Sequence, residues 1–139
     1  MAGEVFVDAG VWYAALNPKA TDHRPCVAAL KGATQSRHRR VTTHLVVAEA
    51  HALLLSRVHR RAALEFLRAV QLPPTIVVES TTELEQRAVT DWIERYDDQR
   101  FSFADAVSFA VMSERGITDA LARDRHFATA GFTMVPIRR

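Results

Sequence analysis

The chain contains very little cysteine, since Cys26 is the only one among its 139 residues. A single cysteine excludes an internal disulfide and any metal site built from several thiolates, and it is typical of a reducing compartment. Charged residues interrupt every apolar stretch before the roughly 18 residues that a membrane-spanning helix requires. The N-terminal segment also lacks the long apolar region of a signal peptide. We therefore expect a cytoplasmic protein without a membrane segment.

Several motifs of common enzymes are absent as well. The five glycines are scattered, so the chain has no glycine-rich loop for phosphate binding. Neither the Gly-x-Ser-x-Gly elbow of serine hydrolases nor the His-Glu-x-x-His pattern of zinc proteases occurs. A phosphoryl-accepting receiver would need adjacent acids and a late lysine, but the only lysines are Lys19 and Lys31. An Asp-x-Asp phosphatase is also disfavoured, because Asp8 is followed by Ala9 and Gly10.

The overall composition is that of one globular domain. Hydrophobic residues make up 48% and charged residues 24%, and the length predicts a single unit over residues 1–139. The net charge is only +2, but arginines are dense in two clusters. The first cluster contains Arg37, Arg39 and Arg40, and the second contains Arg60 and Arg61. The clusters form either solvated helix ends or a surface that contacts the phosphates of an anionic polymer.

The apolar pattern alternates between short β-branched segments and longer segments with helical spacing. Strands are predicted over residues 4–8, 41–43, 75–79, 119–122 and 133–136. Helices are predicted over residues 10–16, 22–36, 44–59, 60–72, 82–96 and 103–114, with a short helical turn over 125–129. This order predicts an α/β domain in which a central, mostly parallel β-sheet of four to five short strands is flanked by helices. Ligands bind at the carboxyl ends of the strands in such α/β/α sandwiches.

Four acidic residues lie where apolar residues would be expected. Asp8 closes the first apolar strand and Asp124 follows the fourth, so both are predicted at carboxyl ends of strands. Glu49 and Asp105 lie within apolar helical segments. A buried carboxylate without a partner is costly or stays protonated, so these side chains are expected to share a partner. A hard divalent cation is the natural partner of converging carboxylates, which indicates metal-assisted phosphate chemistry.

Three of the four acids have alternative structural roles. Asp8 could cap the helix that begins near Gly10. Asp105 lies three residues after Ser102, which matches the Ser-x-x-acid capping pattern. Asp124 could be a turn residue. Taken together, however, two acids at strand ends and two on apolar helix faces indicate a shared site.

Glu49 has no capping role, because Leu45 precedes it and Leu53 follows it by four residues on one helical stripe. We therefore expect Glu49 to be buried. Asp22 follows the first helix and is either the cap of the second helix or a supporting acid. His126 either contacts a phosphate or is an ordinary surface histidine.

Four segments together resemble the PIN domain, and in particular the VapC ribonuclease toxins of bacterial and archaeal toxin–antitoxin pairs. They are Phe6-Val-Asp-Ala-Gly-Val-Trp-Tyr13, Val46-Val-Ala-Glu49, Phe101-Ser-Phe-Ala-Asp-Ala-Val-Ser-Phe109 and Ala120-Leu-Ala-Arg-Asp-Arg-His-Phe127. Their order and separations extend the resemblance over essentially the whole chain. The chain departs from the pattern at Ala122, where relatives frequently carry Thr or Ser.

The resemblance implies a Mg²⁺- or Mn²⁺-dependent endoribonuclease whose four acids are Asp8, Glu49, Asp105 and Asp124. It also implies an RNA substrate, a homodimer and a cognate VapB-type antitoxin that inserts a segment near the active site. Ser102 matches a small hydroxyl position that accompanies the third acid, and the two arginine clusters become candidate RNA contacts. The alternatives are a housekeeping PIN nuclease of RNA processing and a non-catalytic PIN module that binds RNA or protein.

General metal chemistry explains why carboxylates suffice for such a site. Hard cations prefer oxygen ligands and retain several waters, so no histidine is required. One or two such ions can neutralise the phosphate, activate a water and stabilise the leaving oxygen. We expect Asp8 and Asp105 to be the main direct ligands, and Glu49 and Asp124 to bind through water or to hold a second ion.

Overall fold

A computed structural model describes residues 3–137, and a single β-sheet forms its centre. The strands are β1 (Glu4–Val7), β2 (Arg39–Thr43), β3 (Thr75–Val78), β4 (Asp119–Leu121) and β5 (Thr133–Met134). They lie in the order β3-β2-β1-β4-β5, and every neighbouring pair is parallel. The predicted α/β domain with a central parallel sheet is confirmed.

Seven helices flank this sheet in the described part of the chain. They are α1 (Ala9–Leu16), α2 (His23–Gln35), α3 (His44–Arg57), α4 (Arg60–Val70), α5 (Thr82–Ala88), α6 (Phe103–Arg115) and α7 (His126–Thr129). Gly116 ends α6 with a φ of 68°, a left-handed conformation that glycine adopts without strain. Among the described residues, no helix has both the length and the apolar character needed to cross a bilayer.

The central strand β1 anchors the hydrophobic core, because both of its edges are paired and helices cover both faces. Phe6 is fully buried and pairs with Val41 of β2 and Ala120 of β4. Its ring packs against Phe127 of α7, and Phe127 meets Phe109 of α6 edge-on with ring centroids 5.0 Å apart. This aromatic core holds α6 and α7 against the middle of the sheet.

The strand order reverses at β1, because the chain continues to β2 on one side and later reaches β4 on the other. In parallel sheets of this kind, a crevice forms at such a point outside the carboxyl ends of the strands. The backbone N–H of Asp8 donates to the carbonyl oxygen of Leu121 at 3.0 Å. The residues that follow β1 and β4 are therefore neighbours at this crevice.

The structure differs from the predicted elements mainly at their ends. β2 begins at Arg39 rather than at residue 41, because Arg39 and Arg40 pair with β1 despite their polar side chains. The single helix predicted over residues 82–96 is divided into α5 and a π-helical segment, Val89–Glu94. Within this segment, Trp92 packs against Phe109 of α6 with ring centroids 6.2 Å apart.

Candidate active site

Asp8 lies at the carboxyl end of β1 and is half-buried. Its backbone stands at the start of α1, but its side chain makes no capping hydrogen bond to that helix. The helix-cap interpretation of Asp8 is therefore wrong. The carboxyl group is left facing other acidic residues.

The pKa of Asp8 is raised to about 7. Removal of the carboxyl group from water is the main cause, and a hydrogen bond from the backbone N–H of Ala9 opposes it. The negative charges of Asp105, Glu49 and Asp124 raise the pKa further. The four acids expected from the sequence thus act on one another electrostatically at one place.

Asp105 serves two purposes on the first turn of α6. Its backbone N–H donates to the Ser102 hydroxyl at 3.0 Å, and its Oδ2 accepts from the Ser102 backbone N–H at 3.3 Å, which completes a capping box. The capping interpretation is therefore correct. The same Oδ2 lies 3.1 Å from Nδ1 of His126, so the cap also fixes the carboxylate towards the other acids. As expected, the helix face shared with Ser108 and Phe109 is fully buried.

Asp124 is held by the residue two positions after it. Its Oδ1 accepts from the His126 backbone N–H at 2.9 Å, which is the local bond of a turn-forming aspartate. Its Oδ2 lies 3.3 Å from Nδ1 of His126. One ligand atom each from Asp105, Asp124 and His126 fall within 4.8 Å of one another. Asp124 is therefore both a turn residue and a member of the acidic group.

His126 is the member of this group that the sequence did not assign. It is half-buried, it packs edge-on against Phe101 at 5.2 Å, and its ring nitrogen bridges two carboxylates. Its position two residues after Asp124 could have indicated this contact, because an aspartate in a turn commonly accepts a hydrogen bond from the backbone two residues later.

Glu49 is exposed, and the prediction that it would be buried is wrong. The buried stripe of α3 consists of Val46, Ala50 and Leu54, whereas Leu45 and Leu53 are only half-buried. Glu49 lies one position before Ala50 and is therefore rotated by about 100° from the centre of that stripe. Its pKa is nevertheless raised, mainly because neighbouring protein atoms displace water from the carboxyl group, and also by the charges of Asp105 and Asp124.

Asp22 does not cap α2 with its side chain, although it directly precedes the helix. Its residue surface is only 5% exposed, and its Oδ2 lies 2.8 Å from Nε of Arg123. The Cys26 thiol is 3.7 Å from the same oxygen. Asp22 is thus a buried acid paired with the residue that immediately precedes Asp124.

The arginine clusters form no ion pair with the four site acids among the described residues. Arg39 and Arg40 begin β2, opposite Glu4 and Val5. They lie at the amino-terminal ends of the strands, which we call the amino edge of the sheet; the opposite side is the carboxyl edge. Asp8 lies at the other edge, about 13 Å further along β1 at a rise of about 3.3 Å per residue. Arg37 precedes the same strand. Their role as RNA contacts remains a prediction.

The second arginine cluster lies on the first turn of α4. Arg61 pairs with Glu65 of the same helix at 3.3 Å, and both side chains are exposed. Arg60 is exposed as well. An exposed ion pair of this type contributes little to stability. The role of Arg60 and Arg61 as RNA contacts also remains a prediction.

The donor set of the site fits a hard divalent cation. Carboxylate oxygens are the ligands that Mg²⁺ and Mn²⁺ prefer. Asp105 and Asp124 offer oxygens within 4.8 Å of each other, and Asp8 and Glu49 are close enough to interact with them electrostatically. Asp8 has a pKa near neutrality mainly because its carboxyl group is removed from water, and also because other acids lie nearby; a bound cation would compensate its charge. His126 places a ring nitrogen within 4.8 Å of the carboxylate oxygens of Asp105 and Asp124.

Comparison with known proteins agrees with this geometry. The family model for the PIN domain matches residues 5–133. The chain is 38% identical over 132 residues to the 23S rRNA-specific endonuclease VapC20 of Mycobacterium tuberculosis, and the alignment covers 94% of this chain and 97% of that protein.

Solved structures give the same result. The crystal structure of Mycobacterium tuberculosis VapC20, described as a sarcin–ricin loop cleaving toxin, superposes with a TM-score of 0.84 at 34% identity, and covers 95% of this chain and 98% of that one. FitAcB from Neisseria gonorrhoeae shares the fold, with a TM-score of 0.63 at 12% identity over 95% and 96% of the two chains. The chain therefore belongs to the PIN-domain family and, within it, to the VapC type.

Proposed function

We propose that this chain is a divalent-metal-dependent endoribonuclease and the toxin of a VapBC toxin–antitoxin pair. The observation that carries the proposal is the electrostatic coupling of Asp8 to the three other acids at the carboxyl edge of the sheet. A carboxyl group that is half-ionised near neutral pH, among three further carboxylates, is arranged to receive a cation. The whole chain, residues 1–139, acts as one PIN domain in the cytoplasm, where its RNA substrate is found.

The four acids take different parts in the proposed site. Asp8 and Asp105 are the direct ligands, because Asp8 lies deepest and the Ser102 cap holds Asp105 in one orientation. Glu49 and Asp124 are exposed and bind through water or hold a second ion. When bound, Mg²⁺ or Mn²⁺ neutralises the scissile phosphate and lowers the pKa of the attacking water.

The proposed substrate is a hairpin loop of large-subunit ribosomal RNA. VapC20 is named as specific for 23S rRNA and as cleaving the sarcin–ricin loop, and it aligns over nearly the full length of both chains. A relative that is 38% identical over 132 residues supports the same reaction and the same class of RNA. The choice of loop depends on surface residues that vary more readily than the fold.

The substrate can be tested with a synthetic sarcin–ricin hairpin, a transfer RNA and a hairpin of scrambled loop sequence. Each RNA is incubated with the purified chain and Mg²⁺ or Mn²⁺, and the new 5′ ends are sequenced. We expect one cut in the sarcin–ricin loop that disappears with EDTA. Cleavage of the transfer RNA alone would show that the proposed substrate is wrong. A folded chain that cuts none of the RNAs would favour a non-catalytic module.

We also propose that the antitoxin covers a groove between α1, α2 and α4. This groove has a volume of about 250 Å³ and an apolar lining that includes Leu16, Leu30 and Phe66. Two buried donors of the lining, Trp12 Nε1 and Arg40 Nε, have no hydrogen-bond partner among the described residues. An antitoxin segment with apolar side chains and a carboxylate or carbonyl acceptor would satisfy both donors.

The antitoxin groove can be tested by removing its two unpaired donors. Trp12→Phe removes the indole N–H, and Arg40→Gln removes the cation. Each change should weaken binding of the cognate antitoxin by about tenfold, because a hydrogen bond to a partner in a buried groove contributes about 1 kcal/mol or more. Isothermal titration with the antitoxin measures the effect, and unchanged affinity in both variants would place the antitoxin elsewhere.

A homodimer is the proposed assembly of the free toxin. Val89 and Phe103 expose large apolar side chains on neighbouring elements, and such a patch is typical of a contact surface. Light scattering of the wild-type chain and of Phe103→Glu tests this proposal. The wild type should have twice the mass of one chain and the variant a lower mass.

A further inference from the structure

The loop between β4 and α7 carries Asp124, which, unlike Glu49 and Asp105, does not lie on a helix. It contains Ala122, Arg123 and Asp124, none of which belongs to a helix or strand. The side chain of Asp124 is 46% exposed, compared with 14% for Asp105. A capping box fixes Asp105, but α7, which follows Asp124, is a single turn of four residues. The loop therefore needs another anchor if Asp124 is to keep one position.

An ion pair between a buried acid, Asp22, and a half-exposed arginine, Arg123, supplies that anchor. Asp22, from the segment before α2, is almost fully buried, and its Oδ2 lies 2.8 Å from Nε of Arg123. The Asp22 side chain does not cap α2; its Oδ2 accepts from the Cys26 thiol at 3.7 Å, and Arg123 is its charged partner. A buried carboxylate is retained at this position only when a cation compensates it.

The aliphatic part of Arg123 makes a second contact, with the start of α1. It passes over Gly10, where a Cβ atom would lie 3.5 Å from Cδ of Arg123. Gly10 is two residues after Asp8. Arg123 thus connects the loop to the start of α2 through its ion pair with Asp22, and to α1 through its packing over Gly10.

We propose that Asp22 is a positioning residue of the active site, which acts through Arg123 to hold the carboxylate of Asp124 against Asp105. This inference rests on the proposed metal-dependent nuclease site and adds a residue that touches neither the metal nor the RNA. Outer partners that orient metal ligands typically change metal affinity or activity by about 10- to 100-fold when they are replaced. We expect replacement of Asp22 to have an effect at the lower end of that range, because Asp22 acts on one ligand through a neighbouring residue.

The test measures the affinity of the full-length chain for Mn²⁺ alone, by titration with electron paramagnetic resonance, and then the kcat and KM for the sarcin–ricin hairpin. Asp22→Asn keeps the shape of the side chain and removes its charge. We expect Mn²⁺ affinity and kcat to fall by about tenfold while KM for the RNA stays within about twofold. Arg123→Gln should behave in the same way, and Arg123→Lys should recover most of the affinity, because it retains a cation for Asp22.

Arg125→Gln is the matched control. Arg125 flanks Asp124 on the other side, has the same charge and forms no ion pair with any of the residues that the structure describes. Its replacement should leave Mn²⁺ affinity unchanged. If Asp22→Asn alone does not fold, as judged by its thermal transition, the double variant Asp22→Asn/Arg123→Gln removes both charges and is measured instead.

A double-mutant cycle with Asp124→Asn separates positioning from general stabilisation. If Asp22 acts through Asp124, Asp22→Asn should weaken Mn²⁺ binding in the wild type and have no further effect in the Asp124→Asn background. Additive effects, or unchanged Mn²⁺ affinity in folded Asp22 and Arg123 variants while Asp124→Asn weakens binding, would overturn the positioning role alone. Unchanged Mn²⁺ affinity in Asp124→Asn would instead overturn this part of the proposed site, and the inference with it.

Discussion

The two ends of β1 each carry a carboxylate, and the protein treats them in opposite ways. Glu4 at the amino end lies 3.0 Å from Arg39 and 2.7 Å from Arg115, and its pKa is lowered, chiefly by the hydrogen bond from Arg115. Asp8 at the carboxyl end lies among acids, and its pKa is raised to about 7. The two residues are separated only by the apolar segment 5–7.

The difference separates a structural charge from a functional one. At the amino edge, the fold supplies its own cations, so the ion pairs are complete and contribute to stability. At the carboxyl edge, Arg123 is paired with Asp22, and the four site acids have one histidine among them, so a bound cation would supply the missing charge compensation. A site that is incomplete by itself, at the position where parallel sheets bind ligands, is evidence of function.

The largest expected effect follows from removing an acid of the carboxyl edge. Asp8→Asn or Asp105→Asn should reduce cleavage of the sarcin–ricin hairpin by more than about 100-fold, because direct ligands matter more than the outer partners that orient them. Both variants should remain folded. Initial rates and circular dichroism measure the two properties, with Glu4→Gln as the control at the other edge. Full activity in either variant would refute the site.

Stabilisation of the folded chain by metal should depend on the acids of the carboxyl edge and not on Glu4. At a Mn²⁺ concentration of 100 times the Kd, the free energy of unfolding should rise by about 2.7 kcal/mol, since only the folded chain assembles the four acids. Asp8→Asn should lose most of this gain, whereas Glu4→Gln should keep it. Thermal unfolding at several Mn²⁺ concentrations measures the effect, and equal gains in all three proteins would contradict the assignment.

The stability of the metal-free chain should depend on pH through Asp8. Its folded-state pKa of about 7 lies above its ordinary value of 3.8, so the folded state holds a proton that the unfolded state releases. Stability should therefore fall as pH rises from about 4 to about 7, by on the order of 2 kcal/mol, since partial hydration reduces the full linkage effect. Urea unfolding across this range should give a flatter profile for Asp8→Asn. An identical slope in that variant would exclude Asp8 as the source.

The smallest expected effect lies at the amino edge. Because the pKa of Glu4 is lowered, its contribution to stability is present at neutral pH and is lost as pH falls through its folded-state pKa. Glu4→Gln should lower the free energy of unfolding at pH 7 by about 1 kcal/mol and leave cleavage unchanged. Urea unfolding at pH 7 and at pH 3 checks this, because the difference from the wild type should become smaller at the lower pH.

Much of the fold was predictable because the relevant signals are local. The buried β-branched strands, the Ser102–Asp105 capping pattern and the glycine at the end of α6 each depend on residues a few positions apart. The boundaries of β2 were less predictable. Arg39 and Arg40 are polar, and only their pairing with β1 makes them part of a strand.

The candidate site was predictable in its members but not in their environment. Glu49 was expected to be buried from the spacing of Leu45 and Leu53, but the adjacent stripe faces the core. A helix that is apolar on several sides does not reveal which side is covered, because that depends on the elements packed against it. His126 was missed as a partner of Asp105 for the same reason, since the contact joins residues on different helices.

The sequence by itself determined the alternation of strands and helices, the four acids and their order, because these depend on residue type and on short-range spacing. The tertiary structure decided which charges are compensated. Glu4 meets Arg115 across 111 positions of the chain, and Asp22 meets Arg123 across a similarly long separation. No local pattern encodes such pairs, since they arise only when the sheet brings distant segments together. The same packing leaves Asp8 among anions, and that imbalance is the physical basis of the proposed metal site.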